Sequence, residues 1–91
     1  MNNPLIEQTT NDAGETIYQM KTMDIDVVAH LTGGIAPTIT YMQGEKDVTD
    51  DIRAIRFHYE NPADYIENYA AFQSMLYQKE QRAVNSLYEA I

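Results

Sequence analysis

The 91-residue chain contains no cysteine, so neither a disulfide framework nor a thiolate metal site can form. Serine occurs only as Ser74 and Ser86, both on the polar side of a helical pattern, which argues against a serine nucleophile. The four glycines, Gly14, Gly33, Gly34 and Gly44, make no phosphate-cradling array, and no lysine follows a glycine-rich loop, so nucleotide binding is not indicated. No window approaches the roughly eighteen apolar residues of a membrane span. Residues Met1 to Glu7 carry no basic region and no apolar run of signal length, and the expectation is a soluble, cytoplasmic protein.

Basic residues are scarce as well. Six Lys and Arg stand against fourteen Asp and Glu, a net charge of −8. The imbalance is uneven: residues 1–51 hold nine acids against Lys21 and Lys46, whereas residues 52–91 hold five acids against four bases. Such a field repels phosphate backbones and anionic membranes, since DNA binding needs cations that displace counterions. Direct nucleic-acid and membrane binding are therefore disfavoured. A protein partner with a basic surface is favoured, including one that otherwise holds DNA or RNA.

Nothing in the sequence carries a catalytic or cofactor motif. His30 and His58 are the only imidazoles, and their separation matches no metal-ligand spacing. Glu45, Asp47, Asp50 and Asp51 cluster near a turn but lack the alternating ligands and closing Glu of a calcium loop. The expectation is no enzyme activity, no catalytic residue, no metal and no cofactor.

What the chain does have is a long amphipathic stretch over 62–91. Asn61 and Pro62 mark its start, and no Gly or Pro interrupts it. Apolar residues including Tyr65, Ile66, Tyr69, Ala70, Phe72, Leu76, Tyr77, Val84 and Leu87 fall within an arc of roughly 160°. Inside that arc runs a narrower seam of 3-4 spacing, in which Gln73 and Glu80 interrupt the apolar residues. A carboxylate there needs a partner, and Arg53 or Arg56 of the same chain is the expected one, with a register-fixing role between two helices as the alternative. Thirty residues at 1.5 Å span ~45 Å, more than the ~30 Å of a compact domain of this size. The last turns should then expose Ala83, Val84, Leu87, Tyr88 and Ile91 for a partner.

Upstream, residues 1–14 read as a flexible N-terminal tail ahead of one domain over 15–91. Strands are expected at Glu15–Thr22, Asp24–Leu31, Ile35–Met42 and Ile52–Tyr59, separated by turns at Thr32-Gly33-Gly34 and Gln43–Asp47. In the second of these, Ile25, Val27, Ala29 and Leu31 should face inward. The fold class that follows is α+β, a small antiparallel sheet of about four strands (15–59) packed on one long C-terminal helix (62–91). A competing all-α reading makes Asp50–Tyr59 a helix capped by Thr49. Under it, Val28–Met42 resembles a helix-turn-helix, with Ala29, Gly33, Ile39 and Met42 at the small, turn and apolar positions. Gly34 departs from that pattern, and Ala36–Gln43 offers no Arg or Lys to DNA.

The function these features favour is a small acidic protein-binding module that occupies a basic, nucleic-acid-binding surface of a partner. A DNA-mimicking, phage-encoded inhibitor acting in the host cytoplasm is the setting that suits its size and charge. Asp24, Asp26, Glu45, Asp47, Asp50 and Asp51 are the expected partner-binding acids. The alternative is a structural or assembly subunit, a homodimer included, that oligomerises through Gln73, Leu76, Glu80, Ala83, Val84, Leu87 and Tyr88. A third reading is a helix-turn-helix transcription regulator.

Overall fold

The computed structural model describes residues 3–21, 24–31, 33–34 and 36–90; the expectations that fall on Thr22, Met23, Thr32, Ile35 and Ile91 lie outside them. Two small antiparallel sheets, five strands in all, pack against a long C-terminal helix, an α+β arrangement.

The first sheet is a hairpin of β1 (Ile6–Thr10) and β2 (Thr16–Met20), paired from Ile6↔Met20 to Thr10↔Thr16. It corrects the flexible tail expected over residues 1–14. The cause is local: Asn11 Oδ1 accepts hydrogen bonds from the Ala13 and Glu15 amides at 3.0 and 2.9 Å, and Gly14 takes the left-handed φ of 81° that closes the turn. Ahead of β1, Leu5 is buried at 1% exposure, and Asn3 donates to the Asp51 carbonyl at 2.9 Å.

The second sheet has the order β3-β4-β5, with β3 (Asp26–His30), β4 (Thr38–Gln43) and the short β5 (Lys46–Asp47). Val28 pairs with Thr40 and Ala29 with Ile39, so the helix-turn-helix resemblance over Val28–Met42 is overturned. Thr38, Ile39 and Thr40 are β-branched, and two strands with such residues reach a ladder more easily than two short helices reach a turn. The inward alternation holds for Ile25, Val27 and Ala29, but Leu31 is exposed.

The fourth expected strand is instead α1 (Thr49–His58). Val48, Ile52 and Ile55, spaced i, i+4, i+7, are its buried stripe, while Arg53 and Phe57, which with Ile55 and Tyr59 would share one face of a strand, are exposed. Thr49 does not cap this helix. Its hydroxyl accepts from the Tyr41 amide at 3.0 Å, and Asp47 Oδ1 takes the Thr49 amide at 2.9 Å.

The C-terminal helix is divided, which corrects the unbroken helix expected over 62–91. A single turn, α2 (Pro62–Tyr65), ends at Ile66, whose backbone is extended at φ −111°, ψ 110°, and α3 (Tyr69–Glu89) starts afresh. Tertiary bonds outcompete helix continuity here. Ile66 forms a parallel bridge to Tyr18, the Glu67 amide donates to the Tyr18 carbonyl at 2.8 Å, and Asn68 Oδ1 accepts from the Met20 amide at 2.7 Å. Asn61 stands at the start as expected, but in a left-handed conformation at φ 52° and with no side-chain cap bond. Asparagine tolerates that region better than other side chains.

One core joins these pieces. Leu5 and Met20 come from the first hairpin, Ile25 and Tyr41 from the second sheet and its approach, Val48, Ile52 and Ile55 from around α1, and Ile66, Tyr69, Phe72 and Leu76 from the C-terminal third. Among the described residues none beyond Leu76 is buried. The molecule is elongated, 54 × 25 × 20 Å, with a radius of gyration of 15.1 Å against ~12 Å for a compact chain of this length. At 21 residues, or ~31 Å, α3 is too long to lie across either short axis.

Candidate functional site

Polar side chains concentrate where α1 and β4 meet the middle of α3. Glu80 is anchored there by Arg56, one of its two expected partners, with Nη2 to Oε1 at 3.2 Å. Arg56 also donates through Nε and Nη2 to Gln73 Oε1 at 3.3 and 3.2 Å, and through Nη1 to the Tyr41 hydroxyl at 3.0 Å. Tyr41 completes the ring by donating to Glu80 Oε1 at 2.5 Å. The guanidinium also sits 5.5 Å from the centre of the Tyr41 ring, within cation–π range.

Burial pushes the Tyr41 hydroxyl above the ordinary tyrosine value, and its hydrogen bond to Glu80 pushes the same way. Desolvation works against the Arg56 charge, but its bonds to Tyr41 and Glu80 more than offset that and leave it raised. The sign for stability follows from the Tyr41 direction. A phenol that ionises later in the folded state stabilises fully below the unfolded value of about 10 and loses that contribution as pH rises through the folded one. Urea midpoints are therefore expected to fall more steeply above about pH 10 in the wild type than in Tyr41→Phe. Parallel slopes for the two proteins would show that Tyr41 titrates alike folded and unfolded.

This network faces an open cleft of about 500 Å³ whose walls include Arg56, Tyr69, Gln73, Tyr77 and Glu80. Arg56 is engaged through all three nitrogens with neighbours of its own chain, so the arrangement works as a brace between α1, β4 and α3. Of the expected oligomer seam, Leu76 is fully buried within this chain, and Gln73 and Glu80 are hydrogen-bonded to Arg56. Farther along α3, Ala83, Val84 and Leu87 are half-buried and Tyr88 is 52% exposed.

The expected acidic residues gather around the second sheet. Asp26 pairs with Met42, and Met42 with Asp47, so these three share a row on one face, with the acids roughly 10 Å apart across two strand spacings. Glu45 lies in the β4–β5 turn, Asp50 and Asp51 begin α1, and Asp24 precedes β3. Asp24, Asp26, Glu45, Asp47 and Asp50 are exposed, and Asp51 is half-buried. Hydrogen bonds from Thr49 hold the Asp47 carboxyl below the usual range, with a smaller contribution from Arg53. Basic groups also intrude: Lys79 and Arg82 line a shallow cleft together with Asp26, and Lys79 Nζ donates to the Ile25 carbonyl at 2.6 Å.

A group of exposed aromatics is the feature that sequence periodicity misplaced. Tyr65 (55%) and Tyr77 (62%) fall on the apolar arc of a continuous helix, and Phe57 (80%) on the face that a strand would share with Ile55. The break at Ile66 turns Tyr65 outward beside Tyr18, with which it lines two clefts. The signal that would have found it is the Asn61-Pro62 start followed by a second polar turn at Glu67-Asn68.

Among the described residues no group of three or more His, Asp or Glu could hold a metal ion, and no helix is long and apolar enough to cross a membrane. Comparison of the chain with protein-family models, curated proteins and solved structures finds no match.

Proposed function

We propose that the chain is a non-catalytic protein-binding module that docks on a basic surface of another protein. The observation that carries this reading is the outward placement of its acids. Asp26, Glu45, Asp47 and Asp50 are exposed around the second sheet, and Glu15, Glu60, Asp64 and Glu67 are exposed around the first hairpin and α2. With a net charge of −8, such a surface is drawn to Lys- and Arg-rich sites that otherwise hold the phosphates of DNA or RNA, and it speeds encounter with them. A host cytoplasmic enzyme blocked by a phage-encoded mimic of nucleic acid is the setting this favours. Binding to such a partner should weaken by tenfold or more between ~50 and ~500 mM salt, as the screening length shortens from about 14 Å to about 4 Å, and should be competed by duplex DNA. Surface plasmon resonance on the captured partner reads both, and an affinity indifferent to salt removes the proposal.

A second reading, self-association through the end of α3, draws on one observation. Among the described residues, α3 beyond Leu76 and all of β3 contain none that is buried, while Val28, Leu31 and Tyr88 are 47, 41 and 52% exposed. That end of the molecule is half covered.

A further inference from the structure

We infer that Tyr18 and Tyr65 form the centre of a receptor for the cationic side chains of an extended, Arg- or Lys-bearing segment of the partner. This rests on the basic-partner reading and places it at a site other than the acids around the second sheet. Two neighbouring clefts share these two tyrosines. One, of about 400 Å³, is walled by Tyr18, His58, Tyr59, Glu60 and Tyr65. The other, of about 350 Å³, adds Glu15, Asp64 and Glu67 to the same pair. No Lys or Arg lines either cleft.

The charge pattern decides between occupants. Around the second sheet, Asp26 shares its cleft with Lys79 and Arg82, and Asp47 feels Arg53, so that surface is partly self-neutralised. At the tyrosine clefts four carboxylates stand without a lining cation. An anionic or purely aliphatic segment gains nothing from that setting, whereas a guanidinium or ammonium finds both an aromatic ring and a carboxylate. Tyrosine also gives large contact area for little lost conformational freedom and is enriched where binding energy concentrates. The position is rigid, because the Ile66 bridge and the Asn68 bonds to Met20 fix the hairpin that carries Tyr18 to the segment that carries Tyr65. Two adjacent clefts suit two cations on one extended strand.

The test uses the full chain and a synthetic peptide of alternating Gly and Arg, with its Lys counterpart and a citrulline version that keeps the shape without the charge. Isothermal titration should show binding of the Arg and Lys peptides and none of the citrulline one. Tyr65→Ala, at an exposed position, should weaken Arg-peptide binding roughly 2- to 30-fold, with circular dichroism unchanged. Replacing Glu60, Asp64 and Glu67 by their amides should weaken it further and flatten its salt dependence. Asp26→Asn with Asp47→Asn should leave it within twofold. If Tyr65→Ala binds as wild type, or if the Asp26 and Asp47 changes do the weakening, this site is wrong while the basic-partner reading stands. Absence of Arg-peptide binding also overturns the site, whereas the basic-partner reading falls only on the salt and DNA competition of its own test.

Discussion

Phe72→Ala is expected to lower the free energy of unfolding by about 3–5 kcal/mol, the range for removing a buried aromatic and leaving a cavity. Phe72 is 1% exposed on the first half of α3, in the core that gathers both sheets and α1. At ~0.05–0.15 kcal/mol per residue, a 91-residue domain holds only ~5–14 kcal/mol in all, so this change alone removes from about a fifth of the stability to nearly all of it. Urea unfolding followed by far-UV circular dichroism measures it, and tyrosine fluorescence serves as a second probe because the chain has no tryptophan. Phe57→Ala is the matched control. Phe57 is 80% exposed, and its truncation should stay within about 0.5 kcal/mol. A loss below about 1 kcal/mol at Phe72 would mean that the layers are not packed as described.

The second large effect is expected at Glu80. In Glu80→Leu, Arg56 keeps its bonds to Gln73 and Tyr41 but loses its counter-charge while only 27% exposed. Leaving a half-buried guanidinium unpaired costs about 1–3 kcal/mol, less than the full penalty of a dry site because water still reaches the pair. Arg56→Met alone strands Glu80 in the same way. The double change Arg56→Met with Glu80→Leu should recover most of the loss, giving a coupling energy of about 1 kcal/mol or more in a double-mutant cycle. A stabilised, self-associating Glu80→Leu protein is the opposite result. It would return Glu80 to a helix–helix seam between chains.

The parts of the fold that sequence reasoning reached are those where one period dominates. Ile25, Val27 and Ala29 alternate and lie inward in or beside a strand, and the Ile66, Tyr69, Phe72 and Leu76 spacing marks the buried face of the C-terminal segment. It also narrowed the partner of Glu80 to two arginines, because a carboxylate on an apolar face has few ways to be satisfied. Residues 52–59 defeated it since Ile52 and Ile55 suit a helical stripe while Arg53, Ile55, Phe57 and Tyr59 alternate like a strand; only packing against Val48 and the core separates the two. β1 offers a single Leu5-Ile6 pair and gains its structure from pairing with β2. The break at Ile66 has no Gly or Pro at the break itself and only the polar pair Glu67-Asn68 to announce it, and its cause lies in Tyr18 and Met20, far along the chain. The acids were legible as a charge excess, but the cations that intrude on them, Lys79 and Arg82, arrive from α3 by tertiary folding.

The hydrogen bonds that dock the first hairpin have a common span. Asn3 to Asp51, Gln19 to Glu67 and Met20 to Asn68 each join residues 48 positions apart. Closing loops of that length costs ~2 kcal/mol more than closing ones an eighth as long, so these bonds form after the local β3–β4 ladder and the α1 and α3 turns. Docking of the N-terminal hairpin, although its residues are synthesised first, is thus expected only once residue 68 is free to receive it, and the packing of α3 on β3 closes over a similar separation. Tyr18 and Tyr65 become neighbours only at that step. A segment that grips both favours the docked hairpin over any undocked form, and because the docking is already complete in the folded chain it is not charged against the affinity.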